Sequence, residues 1–438
     1  MIRILLMAIV MTAFVNSALA AKPQEPEVGP SQELIDDFIE LVRANTHEVK
    51  FDGERASGEG IDWLIEEGRQ AQYFLIGERH GLAEVPKISG DIFELLMANG
   101  YSRASLEFSP FAADRVEEHL NEGGYQQLVE YLSAGPSEFG PVAFLDWVEE
   151  AEMAARLHAL SPIKTGFFWG LDQEIFGSFG AHLHFLRENS TNDEQLAAVV
   201  AMEKLWISNP FQMIQAKPAE IRALTNLFRD SNNPNVIELL DMIEFGNHIY
   251  GHFADPSRIT RAQSNVDREN YMKDTFMRYL RQAQHDTGED PKVFFKYGGF
   301  HSAPFLDRRY GSWSLGGFIE EFARSNQHTA FNLYLDCASG LRRSSGQDQD
   351  QVVDQERHCN NSFGPIDVDA PWDENKNIFS EFLKDPNAIF LIDFRPIRLQ
   401  LDKFGEILGD TEISFISGFD AYMAIPNVTT SAVFERGE

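Results

Sequence analysis

The stretch Tyr73-Phe-Leu-Ile-Gly-Glu-Arg-His-Gly81 decides how the rest of the chain can be interpreted. Its apolar half predicts a buried β-strand, and its second half predicts a tight, glycine-flanked turn that presents a carboxylate, a guanidinium and an imidazole together. Ligands of open α/β sheets bind beyond the carboxyl ends of the strands, so Glu78, Arg79 and His80 stand where chemistry is expected. The same turn could also be a surface turn whose charges are merely solvated. The residues at the ends of the other strands distinguish a functional turn from a solvated one.

Three later apolar runs are predicted to be strands that end in the same way. The strand–helix–strand order of the first two strands predicts a right-handed, parallel crossover, so their carboxyl ends should share one edge of the sheet. If those two strands are neighbours, the spacing of about 4.8 Å between strands would bring their carboxylates into one site. Two glycines before His301 are expected to let the backbone turn sharply. The runs are 103–108 with Glu107, 165–171 before Asp172, and 292–296 before His301.

The order of these elements predicts an α/β fold with a central, mainly parallel sheet flanked by helices. Only helical patterns occur between residues 175 and 290, and this insertion is expected to form an all-helical lobe over the carboxyl ends of the strands. The predicted organisation is a signal peptide over 1–20, an N-terminal helical segment over 21–70, core halves over 71–174 and 291–438, the helical lobe over 175–290, and a polar excursion over 339–376.

The N-terminus has the pattern of a secretory signal peptide. Arg3 supplies the positive charge, residues 4–15 are almost entirely apolar, and small residues precede a cleavage site after Ala20. No later run reaches the ~18 apolar residues of a membrane-spanning helix. We therefore expect a periplasmic or secreted protein without an integral membrane span.

Composition restricts the partners and the compartment. A formal net charge of −31 disfavours binding to nucleic acids or anionic membranes, and it names no substrate. The chain has two cysteines, Cys337 and Cys359, which in an oxidising compartment most simply form one disulfide, with two free thiols as the alternative. Neither cysteine lies in a motif, which argues against catalytic cysteine chemistry.

The predicted strand ends gather carboxylates, imidazoles and a guanidinium. A histidine that is held by a carboxylate can act as a general base for water, and Arg79 or a second histidine could stabilise an oxyanion. Two carboxylates with two imidazoles would also suit Zn²⁺ or Mn²⁺, and no HExxH or CxxC spacing separates these possibilities. The residues are Glu78, Arg79, His80, Glu107, Asp172 and His301.

A family resemblance lies in the order of several short motifs between residues 70 and 426. Together they resemble the superfamily that joins erythromycin esterases, haem-binding uptake lipoproteins and Tiki/TraB-type metalloproteases. The turn G-E-R-H-G is one residue shorter than the G-E-x-x-H-G of esterases. The motifs are Gly77–Gly81 with Glu84, Ala104–Glu107, Gly170–Asp172, Arg268–Met272, Gly298–His301, Ser314–Gly317 and Phe419–Ala421.

For the esterase members, the resemblance implies metal-free attack of water on an ester or related acyl bond of a small molecule. His80 would then be the general base, Glu78 and Glu107 would orient it, and Arg268 and His301 would complete the site. The residues predicted to contact substrate are Arg79, Glu84, Asp172 and Lys296.

Two other functions stay open from the sequence. The first is a metal-dependent peptidase with Glu78, His80, Glu107 and His301 as ligands of a divalent ion. The second is a protein that binds haem or another small ligand through a histidine without catalysis. The oligomeric state is not indicated by the sequence.

Overall fold

The structure is a computed structural model. It describes residues 30–134, 140–307, 311–343, 356–359, 379, 382 and 388–435. The predicted signal peptide lies outside the described residues, as does most of the predicted polar excursion. Among the helices of the described part, none combines the length and the apolar character that crossing a lipid bilayer requires.

Strands and helices alternate in the first and last parts of the chain. The strands are β1 (Thr46–Phe51), β2 (Ala56–Ser57), β3 (Tyr73–Glu78), β4 (Tyr101–Leu106), β5 (Phe168–Gly170), β6 (Lys292–Gly298), β7 (Leu306–Asp307), β8 (Ser312–Trp313), β9 (Ala330–Cys337), β10 (Leu341–Arg343), β11 (Glu356–His358), β12 (Ile389–Asp393) and β13 (Ala421–Ile425). The α-helices are α1 (Gln32–Ala44), α2 (Glu59–Gln70), α3 (Glu84–Met97), α4 (Pro110–Ser133), α5 (Val148–Leu160), α6 (Phe179–Glu188), α7 (Asp193–Ser208), α8 (Gln212–Gln215), α9 (Pro218–Asn226), α10 (Pro234–Ile249), α11 (Gly251–Ala254), α12 (Arg261–Thr287), α13 (Gly299–Ser302), α14 (Leu315–Ser325), α15 (Arg395–Arg398), α16 (Leu401–Phe404) and α17 (Asp410–Gly418).

One large sheet forms the centre of the described structure. Its strand order is β2-β1-β12-β13-β9-β3-β6-β4-β5. The strands from β13 to β5 are parallel, and β12, β1 and β2 extend the sheet with antiparallel pairings. This confirms the predicted α/β fold with a mainly parallel sheet.

Strand β3 is buried over its whole length and apolar up to Gly77, because helices cover both faces of the sheet. Successive side chains of a strand point to opposite faces. Phe74 and Ile76 pack into the core formed with α2 to α5, whereas Tyr73 and Leu75 pack against α12 and α14. A strand buried on both faces reads as an uninterrupted apolar run, which is why the sequence reveals it.

Two features of the sheet differ from the sequence-based expectation. Strand β6 lies between β3 and β4, so the first two strands of the predicted crossover are not neighbours. The segment 21–70, predicted as helical, also contains β1 and β2, and β1 pairs with β12. Of the six residues of β1 only Val49 is buried, so the strand carries little apolar pattern.

Residues 176–287, all of which are described, contain helices and no strand. Helices α6 to α10 share a core of their own that includes Phe179, Leu183 and Ile243. The 27-residue α12 leaves this lobe and packs on the sheet through Met272 and Phe276. This helix therefore carries residues of the lobe to the carboxyl ends of the strands.

The predicted disulfide between Cys337 and Cys359 is present, with the two Cα atoms 6.3 Å apart. It joins the end of β9 to the residue that follows β11. The bond lies beside the site edge of the sheet, because the neighbouring Asp336 is paired with Arg79 after β3.

Candidate functional site

Parallel strands deliver three buried carboxylates to one edge of the sheet. Glu78 ends β3, Glu107 follows β4, and Asp172 follows β5; each is about 95% buried. Buried carboxylates are rare unless they are paired with cations or hydrogen-bond donors. The partners of these three groups define the candidate site.

Two imidazoles converge on the carboxylate of Glu107. Nδ1 of His80 lies 2.9 Å from Oε1 of Glu78, and its Nε2 lies 3.5 Å from Oε2 of Glu107. Nδ1 of His301 lies 2.6 Å from Oε1 of Glu269, and its Nε2 lies 3.6 Å from Oε1 of Glu107. Because a carboxylate only accepts, each Nδ1 carries the proton, and each Nε2 is turned toward the same central group.

Glu107 is held in place by two further donors. The backbone N–H of Gly298 donates to its Oε2 over 2.6 Å, and Nη2 of Arg268 donates to its Oε1 over 3.2 Å. The same guanidinium binds Asp172 through both carboxylate oxygens, with an Nε–Oδ1 distance of 2.9 Å. Arg268 therefore joins the ends of β4 and β5 to the lobe helix α12.

Glu78 is neutralised from the other side by a buried lysine. Nζ of Lys296 lies 2.7 Å from Oε2 of Glu78 and 2.6 Å from Oε1 of Glu150 on α5. The lysine side chain is 4% exposed. Its charge is thus committed to two carboxylates, and the prediction that Lys296 binds substrate receives no support from this position.

The carboxylates around His80 and His301 raise the pKa values of both imidazoles. Burial lowers the pKa of His80, but the charges of Glu107 and Glu78 outweigh burial and raise it above 6.5. Burial and Arg268 lower the pKa of His301, and Glu269 and Glu107 outweigh both. The imidazolium forms therefore stabilise the fold fully below pH 6.5, and this contribution is lost as the pH rises through the folded-state pKa values.

The lysine sets the charge of the carboxylates around it. Burial raises the pKa of Glu78, but Lys296 and His80 outweigh burial and lower it to about 2. For Glu150, burial dominates and raises the pKa to about 7. Glu78 is therefore ionised at neutral pH, and it keeps the proton of His80 on Nδ1.

Gly298 leaves space for His80 because it has no side chain, and its backbone conformation is an ordinary one. Its φ of −52° is open to any L-residue, so the expectation that this glycine permits a sharp turn is wrong. A Cβ at this position would lie 2.6 Å from Nε2 of His80 and 3.3 Å from Oε2 of Glu107. The strand end approaches the imidazole too closely for any side chain.

We predict that Gly298→Ala displaces His80 and lowers the free energy of unfolding by about 1–3 kcal/mol, the usual cost of overpacking. Gly299→Ala is the matched control, because its Cβ would instead meet the ring of Tyr334 at 2.4 Å. Nitrogen NMR of the histidine rings should show a changed His80 signal in the first variant and an unchanged one in the second. An unchanged His80 signal in both would contradict the close approach.

The comparisons with known proteins are informative about the fold. No model of a protein family matches the sequence, and no curated protein matches it. A solved erythromycin esterase, a mutant in its open conformation, matches with a TM-score of 0.57 at 12% identity, covering 89% of this chain and 99% of the esterase. The chain has the fold of erythromycin esterase.

Two other solved structures match this chain over nearly its whole length. A succinoglycan biosynthesis protein matches with a TM-score of 0.56 at 15% identity, covering 92% of this chain and 100% of its own. A Bacillus cereus protein matches with a TM-score of 0.55 at 14% identity, with coverages of 93% and 100%. The resemblance predicted from the motif order is thus confirmed for the fold, and the chemistry has to be argued from the side chains.

Two predicted substrate contacts lie elsewhere on the esterase-like fold. Nε of Arg79 donates to Oδ1 of Asp336 over 2.6 Å, so this guanidinium faces β9. Glu84 accepts from the backbone N–H and the hydroxyl of Thr429, at 3.0 and 2.7 Å. Both residues fix the loop after β3 from outside the histidine pair. Asp172 does belong to the site, as the partner of Arg268.

The structure adds residues that the sequence analysis did not single out. Glu269 orients His301 and also accepts from the backbone N–H of Leu315, at 2.7 Å, which ties α12 to α14. Its sequence signal is its place in the motif Arg268–Met272, in which no role for Glu269 was assigned. Glu150 carried no signal, because it reaches the site from α5, far from Lys296 in the sequence.

The four residues considered as metal ligands do not fit a divalent ion well. Both oxygens of Glu78 are bonded, to His80 and Lys296, and Glu107 is bonded to Arg268 and a backbone N–H. In the part of the chain that the structure describes, one group of three possible ligands is close enough to hold an ion. It is Asp336, Cys337 and Cys359, and its two sulfurs form the disulfide.

Proposed function

We propose that the protein is an exported hydrolase that directs water at an ester or related acyl bond of a small molecule, with His80 as the general base. One observation carries this proposal: His80 is fixed at Nδ1 by an ionised carboxylate and turns Nε2 toward Glu107 at the ligand-binding edge of the sheet. A neutral imidazole with this tautomer accepts a proton at Nε2. The disulfide supports export, because such bonds persist in oxidising compartments.

The two imidazoles can divide the work of hydrolysis. Each ring carries a proton on Nδ1, and in the proposed active form His301 alone carries a second proton, on Nε2. Neutral His80 takes a proton from water as the water oxygen bonds to the acyl carbon. Protonated His301 stabilises the oxyanion that forms, while Arg268 holds Glu107 and Asp172 in place. The carbon–oxygen bond to the alcohol then breaks, and the proton passes from His80 to the leaving alkoxide.

The metal-dependent and haem-binding alternatives have less support from the geometry. The carboxylates are already neutralised by Lys296 and Arg268, two fixed cations of the chain. Both ring nitrogens of His80 and of His301 face carboxylates, whereas an axial haem ligand presents one ring nitrogen to the iron. No specific observation favours either alternative over hydrolysis.

A panel of alkyl, aryl and peptide substrates tests the proposal on protein recovered from the periplasm or the medium, whose first residue should be Ala21. We expect ester hydrolysis, with kcat reduced about 100-fold or more in His80→Gln and in His301→Gln. His248→Gln is the matched control, because His248 forms a 2.9 Å pair with Asp267 in the lobe.

Metal analysis and haem titration accompany this assay. Retained hydrolysis in His80→Gln and His301→Gln would refute the assigned site. Stoichiometric metal that leaves together with the activity on chelation would replace the metal-free reaction by the peptidase alternative. A haem absorption band that His80→Gln abolishes, without any hydrolysis, would favour the binding protein.

A further inference from the structure

Phe144 covers one face of the His80 imidazole. The two ring centroids are 4.2 Å apart and the planes differ by 16°, so the rings are stacked. Phe144 has φ of +62°, in the left-handed region that a bulky L-residue rarely adopts. Strained residues of this kind persist only where the surroundings hold them, and they concentrate at functional sites.

The turn that contains Phe144 is fixed at the end that leads into α5. The backbone N–H of Trp147 donates to the carbonyl of Phe144 over 3.0 Å, and Trp147 forms a β-bridge with Val433. One residue later, the N–H of Val148 donates to the carbonyl of Ala432 over 2.9 Å. The C-terminal segment 429–433 therefore holds the strained turn in place.

The same C-terminal segment also holds the loop that follows His80. Leu82 forms a β-bridge with Thr430, and the N–H of Ala83 donates to the carbonyl of Thr429 over 3.0 Å. One stretch of chain thus fixes the phenylalanine turn and the histidine loop relative to each other. Backbone contacts therefore hold the two rings at stacking distance.

We propose that Phe144 is a positioning residue that fixes the plane of the His80 ring. The bond to Glu78 restrains one nitrogen but leaves the ring able to tilt about that contact, and the flat face of Phe144 removes this freedom. Nε2 is then directed toward Glu107, and one ring face is shielded from water. The catalytic meaning of this role rests on the proposed function, whereas the positioning itself does not.

Substitutions of Phe144 separate a flat ring from mere bulk. Phe144→Tyr keeps the stacked face, Phe144→Leu keeps much of the volume, and Phe144→Ala removes both. Phe253→Ala is the control for loss of an aromatic ring beside a different imidazole, because its ring centroid lies 3.9 Å from that of His252 and its side chain is exposed. All variants are measured as the full chain.

The first readout is the nitrogen NMR signal of the His80 ring. We expect a slowly exchanging Nδ1–H in the wild type, in Phe144→Tyr and in Phe253→Ala, and fast exchange with water in Phe144→Leu and Phe144→Ala. The second readout is ester hydrolysis, with kcat lower by roughly 10- to 100-fold in the Leu and Ala variants and KM little changed. An unaltered His80 signal in the folded Leu variant would overturn the inference.

The two readouts distinguish a failure of this inference from a failure of the proposed function. If no ester is hydrolysed, the proposed function fails while the NMR experiment still decides the positioning role. The strain gives an independent check: Phe144→Gly should unfold at a higher temperature than Phe144→Ala, because glycine adopts this φ without penalty. Equal or reversed melting temperatures would contradict the strained turn.

Discussion

Replacing Lys296 by methionine should lower the free energy of unfolding at pH 8 by about 3–5 kcal/mol, which is the usual cost of removing one partner from a buried ion pair. The lysine is buried between Glu78 and Glu150, and the substitution leaves two carboxylates without their cation. Urea unfolding at several pH values measures the loss. A change below about 1 kcal/mol would show that the three groups do not form a buried network.

The pH dependence of this loss has a definite sign. In the wild type the lowered pKa of Glu78, about 2, adds stability that is present above pH 4.5 and is lost as the pH falls through 2. The Lys296→Met variant lacks this contribution, so its deficit should shrink as the solution is acidified. Lys292→Met is the control, because Lys292 begins the same strand and donates to the carbonyl of Arg69.

A second substitution can test the network further. Burial raises the pKa of Glu150 to about 7, so its charged form opposes folding above that pH. Lys296→Met combined with Glu150→Gln should therefore recover part of the stability that Lys296→Met loses at pH 8. If the double variant is no more stable than the single one, Glu150 is not a member of the network.

The second large effect is expected from Glu107→Gln, with kcat for ester hydrolysis falling about 100-fold. The carboxamide keeps the shape of the side chain but removes the charge that both Nε2 atoms face. Since Glu107 raises the pKa of His80 and of His301, both histidines should titrate at lower pH in the variant. Their stabilising contribution should then vanish at a lower pH than in the wild type.

NMR titration of the histidine rings measures this effect directly. Glu117→Gln is the matched control: Glu117 is equally buried, but it accepts from the backbone N–H groups of Gly166 and Phe168. Its replacement should leave both site histidines unchanged. If the pKa of only one of the two histidines changed in Glu107→Gln, Glu107 would not interact with both imidazoles.

Several parallel strands of the sheet could be predicted because strands covered on both faces have apolar centres. The runs Tyr73–Gly77 and Val293–Phe295 are of this kind. Strand order could not be predicted in the same way. The position of β6 between β3 and β4 depends on pairing across roughly 190 to 220 residues of chain, and local periodicity carries no information about such pairing.

The residues of the candidate site also fall into two groups, those that the sequence predicts and those that only the tertiary structure reveals. By itself, the sequence determined that Glu78, His80, Glu107, Asp172 and His301 follow strands, and parallel strands end at one edge. Only the tertiary structure decided which groups restrain them. These partners lie on helices and in a turn: Glu269, Glu150 and Phe144. Because they are close to the sheet edge, they can form an ion pair or a stacked ring with the site residues. Such partners are selected by proximity in space, which spacing along the chain does not encode.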